Sequence, residues 1–575
     1  MLRNTLRAAL CAAPLVLAPA AAAQVPDSSY IRRALELHRQ VPMVDGHNDL
    51  PWELRVRYRG NLDSINLRDP QPHLHTDLPR LRAGAVGAQL WSIWIPDTMV
   101  RYGPARLMLE QLDLARRMVA RYPASFENAA SAADIERIHR SGRIAAMYGL
   151  EGGHAIENSL ALIRLYHSLG VRYMTLTWNN STAWADAAAD TARRRGLTPF
   201  GREVVREMNR TGMLVDLSHV SDSVMIQALR VSEAPVIFSH SSARALADHR
   251  RNVPDTVLRL VRANRGVVMV NFYCSFIDSA TIRWSRQSSQ VRADLRTRFA
   301  GDSVAAAAAF RQWLAVNPRP ARPGLRLMAD HIEHIRRVAG VDHVAYGSDY
   351  DGIDCAPEGL EDVSTFPRLT AELLRRGWSD DDVRKVIGLN FLRVLREAEQ
   401  VAARLQQSRE PSTATIGQLD SSSTTGGGGS VDIGALEFSS GPGPGRDASP
   451  DAARALAGRW WLRARATRNP AVGRVETPLT LTADRAPVPD TSRYAGEIVM
   501  AGFVRMQRNN RGRPAVWWPV AGDSLVIRFT SDRGQWLELR GRQEGQLLRG
   551  DVWYLSETTG RPQYQLGTFE MRRRP

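Results

Sequence analysis

Short apolar runs recur along the first part of the chain, at 41–46, 86–95, 144–152, 171–178, 213–219, 234–240, 266–273 and 343–349. Most are continuous rather than alternating, the pattern of strands buried on both faces. Between them lie stretches with apolar residues at helical spacing. RLMLEQLDLARRMVARY covers 106–122, LIRLYHSLG ends in Gly170, and LRLMADHIEHIRRVAG ends in Gly340. A glycine just past the last periodic residue is a helix stop. Strands alternating with helical crossovers predict an α/β fold with a parallel sheet, and eight strands close a (β/α)8 TIM barrel. The alternative, an open doubly wound sheet, calls for a glycine-rich nucleotide loop after the first strand. No such loop follows residue 46.

The pattern then changes twice. From about 407 to 453 the chain is rich in Ser, Gly and Pro, as in SSSTTGGGGS and SSGPGPGRDASP, and no apolar period persists. This reads as a flexible linker. From 454 to 575 short alternating runs separated by turn residues, from RWWLRARATR to YQLGTFEMR, predict a small antiparallel all-β domain, barrel or sandwich. Trp460, Trp461, Trp517, Trp518, Trp536 and Trp553 fall in it. Core packing is favoured for them over a sugar or peptide platform.

Composition adds a compartment. Met1–Ala23 places Arg3 and Arg7 before an apolar stretch and small residues before Gln24, a secretory signal peptide. The expected organisation is therefore a signal peptide at 1–23, the barrel at 24–406, the linker at 407–453 and the β domain at 454–575. The mature protein is expected to be secreted or periplasmic. No later run of apolar residues is long enough for a membrane span, and the EMRRRP terminus lacks the tail of a lipid-anchor signal. Cys274 and Cys355 remain after cleavage. They can pair in an oxidising compartment, a point the sequence leaves open, and are too few for a thiolate zinc site. The net charge of +16 comes almost wholly from arginine, Lys385 being the one lysine. The arginines are scattered, so the charge reads as compositional bias and not as a nucleic-acid surface. Contact of the C-terminal domain with the cell envelope stays open, as does oligomeric state.

Candidate chemistry gathers at the ends of the runs. MVDGHNDLPW closes the first with His47 and Asp49 two residues apart, which places both on one side of an extended chain. Glu151 ends the third run, His219 the fifth, His240 the sixth, and Asp349 and Asp351 the eighth. Each alone has a structural explanation as a cap, a turn former or an ion-pair partner. In a (β/α)8 barrel, however, all strand C-termini open onto one face, and that face carries the chemistry. Imidazole and carboxylate without thiolate suit zinc or another borderline divalent ion. His47, Asp49, Glu151, His219 and His240 exceed what one open catalytic site uses, so two ions sharing Glu151 fit better. His154 reads as structural, and His331 and His334, three apart on a helix, as groove or surface residues. The long stretch at 274–325 is either a lid or a set of extra surface helices.

These residues resemble those of the renal, or membrane, dipeptidase family of zinc metallopeptidases over about residues 30–400. The likeness rests on VDGHNDLPW, EGGH, RYMTLTW with WAD, DLSHVS, FSHSSARALADHRRNVPD and GSDYDGIDCAPEGLEDVSTFP. It implies a (β/α)8 barrel with two Zn2+ that hydrolyses dipeptides, with acceptance of a D-residue at the C-terminal position left open. By motif match, His47 and Asp49 hold one zinc, His219 and His240 the other, and Glu151 bridges. Arg251 matches the arginine that grips the substrate carboxylate, and Asp349 the acid/base. One position departs: Trp178 stands where the family has a substrate-contacting histidine. Tryptophan donates one N–H and does not titrate, although Asn179 and Asn180 follow as neutral donors. The departure motivates a second reading, a metal-dependent amidohydrolase acting on a lactam or an acyl amino acid. A third reading, a non-catalytic envelope-binding protein, leaves the ligand set without a purpose.

Overall fold

The structure, a computed structural model, describes residues 28–420 and eight strands between 458 and 573. The expected signal peptide and residues 421–457 lie outside the described residues. The chain divides into two compact units.

In the first unit each predicted apolar run forms a strand. These are β1 (Met43–Asn48), β2 (Val86–Trp94), β3 (Ile144–Glu151), β4 (Val171–Thr175), β5 (Leu214–Asp216), β6 (Ile237–Phe238), β7 (Val267–Val270) and β8 (Val344–Tyr346). Neighbours pair in parallel in chain order and β8 returns to β1, which closes the eight-stranded barrel. A further short strand at Phe126–Asn128, absent from the sequence reading, pairs with the start of β3. Its three residues are too few for periodicity to show. The expected helices cover Pro104–Arg121, Leu160–Ser168 and Leu325–Ala339.

Every strand sends at least one apolar side chain into a shared core: Val44, Leu90, Met147, Tyr173, Leu214, Ile237, Met269 and Ala345 belong to one buried cluster. Such layered filling makes the barrel a packed support for a site at its mouth. One close approach matters for that site. A Cβ at position 149 would overlap the Tyr173 ring, so glycine in β3 is what lets the ring of β4 cross the interior. Gly149→Ala is expected to destabilise the protein by about 1–3 kcal/mol, the usual range for overpacking a tight core. Urea unfolding of the variant beside the native chain checks this.

Several expectations need revision. His331 is fully buried, accepting the Ala243 N–H at 3.1 Å and lying 3.0 Å from the Ile277 carbonyl. His334 is buried against Asp255 at 2.7 Å. Both face inward because their helix covers the barrel, so neither is a groove or surface residue. Residues 409–420, read as the start of the linker, hold the barrel through hydrogen bonds. Ser412 N donates to Glu207 and Phe200 N to Asp420. Cys274 and Cys355 form a disulfide. The stretch at 274–325 contains two long helices, Ser279–Arg298 and Ser303–Val316. Among the described residues no helix is long and apolar enough to cross a membrane.

The strands of the second unit are β9 (Gly458–Ala466), β10 (Arg474–Leu481), β11 (Gly502–Met506), β12 (Ala515–Val520), β13 (Ser524–Thr530), β14 (Trp536–Glu544), β15 (Leu547–Leu555) and β16 (Pro562–Arg573). They pair antiparallel, each with the next, and close into a barrel through β9 and β16. The packing of the six tryptophan side chains lies outside the described residues.

Candidate metal centre

The polar strand ends meet at one mouth because parallel strands all finish on the same side. Buried carboxylates first fix those ends. Asp45 accepts from Ser348 N and Ser348 Oγ, both at 2.7 Å, and from Gln89 at 2.9 Å, tying β1, β2 and β8 together. Asp216 does the same for β5 and β6, accepting from Ser218 N at 2.9 Å and Ser239 N at 3.0 Å. Two non-glycine residues then turn sharply: His219 and Asp349 adopt left-handed backbone conformations, with φ of 73° and 65°. Such conformations cost about 1–2 kcal/mol each.

Glu151 sits at the centre. One of its oxygens, Oε2, lies 3.3 Å from His47 Nε2, and Asp49 lies 3.5 Å from the same nitrogen. The other, Oε1, lies 2.8 Å from His219 Nε2 and 3.6 Å from His240 Nε2. The sequence-predicted His47, Asp49, Glu151, His219 and His240 therefore fall into two overlapping groups sharing Glu151, with donor atoms within 4.8 Å of one another in each. Asp349 stands with His47 and His240 in a third. Asp351 is elsewhere, accepting the His75 N–H at 2.7 Å.

This donor set fits divalent ions. His47 Nε2 is fully buried with no hydrogen-bond partner. His219 Nε2 and His240 Nε2 point at each other across 3.0 Å, a contact in which at most one hydrogen can lie. Burial, followed by the Arg251 charge, holds His219 down to about 3, and burial with His47 holds His240 well below the ordinary range. Both imidazoles are thus neutral, the form that binds metal. Burial alone would raise Glu151, but His47 and His219 hold it well below the carboxylate range, so it stays ionised. For His47 burial is outweighed by Tyr173 and by the acidic neighbours Glu151 and Asp49, and its pKa rises.

Supporting contacts came from residues that sequence reasoning missed. The Tyr173 hydroxyl lies 3.3 Å from His47 Nδ1, Ser239 Oγ 2.7 Å from His240 Nδ1, and Ser92 Oγ donates to Glu151 at 3.1 Å. Such partners orient a ligand by engaging its other polar atom. Asn271 donates to Asp349 at 2.8 Å and to the His240 carbonyl at 3.4 Å, joining the candidate acid/base to the cluster. Their signals were weak: a lone Tyr, Ser or Asn inside an apolar run reads as filler. Burial, with the Asp49 and Glu151 charges, pushes the Asp349 carboxyl up to about 8.

Arg251 is 5% exposed, with Nε and Nη2 buried and without hydrogen-bond partners. Its guanidinium lies 5.1 Å over the Phe276 ring. Burial lowers its pKa to about 10, and Asp349 and Glu151 support its charge, so it remains a cation at neutral pH. Trp178 packs beside His219, ring centroids 6.1 Å apart, and against Trp94 at 4.9 Å.

Comparison with known proteins agrees. Residues 31–409 match the family described as membrane dipeptidase, peptidase family M19. Dipeptidase 3 of Mus musculus is 41% identical over 374 residues, covering 64% of this chain and 67% of that protein. Dipeptidase 3 of Homo sapiens is 40% identical over 396 residues, covering 68% and 72%. Among solved structures, the probable dipeptidase PvdM from Pseudomonas aeruginosa shares the fold, with a TM-score of 0.54 and 23% identity over 65% of this chain and 99% of that one. A metallo peptidase from Rhodobacter sphaeroides, liganded with a phosphinate mimic of L-Ala-D-Ala, has a TM-score of 0.51 and 25% identity, covering 62% and 99%. The chain belongs to the membrane dipeptidase family, peptidase family M19, and is a metallo-dipeptidase, a hydrolase acting on peptide bonds.

Proposed function

We propose that the protein is an exported dipeptidase using two zinc ions, and that it accepts dipeptides with an L- or a D-residue at the C-terminal position. The observation that carries this is the division of Glu151, one oxygen toward His47 and Asp49 and the other toward His219 and His240. Each half offers three protein donors of the nitrogen and oxygen type zinc takes, with room for a further ligand. Bound there, such ions supply Lewis acidity, polarising an amide carbonyl and making water nucleophilic near neutral pH. The protein's own groups do the rest. The Arg251 fork suits the terminal carboxylate of a short peptide and supplies its unpaired Nε and Nη2 donors to it. Asp349, positioned by Asn271 and ionised once cations beside it offset its burial, takes the proton of the attacking water and delivers it to the departing amine nitrogen. The peptide C–N bond breaks, and a free amino acid leaves at each side.

Acceptance of a D-residue draws support from the Rhodobacter sphaeroides relative, whose ligand mimics L-Ala-D-Ala. The Cys274–Cys355 disulfide supports an oxidising destination, as export provides. Metal analysis of the purified chain, with turnover of L,L and L,D dipeptides before and after chelation, tests the proposal. Two zinc per chain and loss of turnover on chelation, restored by zinc, are expected. Turnover of acyl amino acids alone would instead favour the broader amidohydrolase reading that Trp178 raises.

A further inference from the structure

Three indoles occupy one arc of the barrel mouth. Trp52 lies in the helix Leu50–Tyr58 that follows β1, Trp94 ends β2, and Trp178 follows β4. Trp52 and Trp94 meet edge to face at 4.7 Å and 79°, Trp94 and Trp178 at 4.9 Å and 57°. The series ends on the metal cluster, Trp178 at 6.1 Å from His219. Trp94 is also paired directly with Glu151 in the β2–β3 register. All three residues are half-buried, so none is sealed within the core. None of them titrates, so their contribution to a reaction is area and shape.

Arg251 comes from the opposite arc of the ring and packs on Phe276, beyond β7. It follows β6, which lies four strands from β2 in the closed ring of eight. An extended dipeptide spans about 7 Å. With its terminal carboxylate on Arg251 and its amide at the cluster, its first residue is directed across the mouth toward β2. We infer that Trp52, Trp94 and Trp178 form an apolar wall that receives the side chain of the substrate's first residue and gives the enzyme a preference for dipeptides beginning with a bulky apolar residue. This rests on the dipeptidase reading and specifies its substrate class.

An apolar side chain seated on such a wall is worth about 10–200-fold in kcat/KM. The test uses the full chain loaded with zinc and the peptides Phe-Gly, Leu-Gly, Gly-Gly, Gly-Phe and Gly-Leu. Phe-Gly and Leu-Gly are expected to exceed Gly-Gly by about 10-fold or more, with no such gain for Gly-Phe or Gly-Leu. Trp94→Ala and Trp178→Ala should each bring the Phe-Gly to Gly-Gly ratio within about 3-fold, with zinc content retained; Trp178→Phe, which keeps a ring and guards against misfolding, should hold most of it. Turnover without a first-residue preference, or a preference that survives in Trp94→Ala and Trp178→Ala, overturns the inference and leaves the dipeptidase reading standing. Absence of turnover on all five peptides overturns both.

Discussion

Glu151→Gln is expected to abolish most of the activity and to strip metal from the protein. Glu151 alone belongs to both candidate ion-binding groups, so its loss would leave two protein donors where each group now offers three. The amide keeps the shape of the side chain but not its charge. Its NH2 would also face the Nε2 lone pairs of His47 or of His219, which the carboxylate now approaches at 3.3 Å and 2.8 Å. Changes to residues that only support a ligand typically cost about 10–100-fold in metal affinity or activity. Loss of the shared ligand should therefore exceed about 10²-fold in kcat/KM. Metal content by elemental analysis and dipeptide turnover with zinc in excess measure the two effects. A thermal-shift series with zinc adds a third, since a ligand that binds only the folded state raises its stability with concentration. The native chain should show that shift and Glu151→Gln should show little of it. Full metal content in the variant would mean that Glu151 is not the bridge.

The position of that shared carboxylate is legible in the sequence for a simple reason. A parallel barrel converts order along the chain into position around a ring, so a polar residue ending an apolar run is already at the mouth. The rule brings His47, Asp49, Glu151, His219, His240 and Asp349 to the mouth, where the structure clusters them. What the rule does not show is which side chains reach across the ring. Tyr173 contacts His47 only because Gly149, two strands away from β1, leaves room for its ring. Asn271 reaches Asp349 from a neighbouring strand end. Neither relation has a sequence spacing, since each depends on register and on a gap left by another residue. Asp351 illustrates the opposite error. It is two residues from Asp349, yet the turn sends it to His75 and away from the cluster. His331 and His334 failed for a third reason: their helix covers the barrel with the face that carries them, and a buried histidine with satisfied nitrogens has the same letter as an exposed one.

Arg251→Met should separate function from stability, moving them in opposite directions. The native guanidinium is 5% exposed, and two of its three nitrogens are buried without hydrogen bonds. A charge held this way is a liability in the free protein, because water that would solvate it is excluded and nothing replaces the lost hydrogen bonds. Asp349, Glu151 and Asp216 supply compensation, which is why the group stays charged with its pKa lowered only to about 10, and the Phe276 ring packs beneath it. Methionine has similar reach, no charge and a flexible apolar chain suited to the space. The metal-free variant is therefore expected to be more stable than the native chain by about 1–3 kcal/mol in urea unfolding at neutral pH. Turnover should respond the other way. A free dipeptide would lose its carboxylate partner, and kcat/KM should fall by about 10²–10³-fold, the equivalent of one strong charge-assisted pair in a buried site. The fall should be carried largely by KM, since the carboxylate is bound in the ground state as well as in the transition state. A C-terminally amidated dipeptide supplies the control: the native enzyme should discriminate against it, and Arg251→Met should not. Equal losses on the free acid and the amide would show that Arg251 holds the site together instead of holding the substrate. A variant less stable than the native chain would show that the surrounding acids, and not a peptide, are the partner this buried cation was placed to meet.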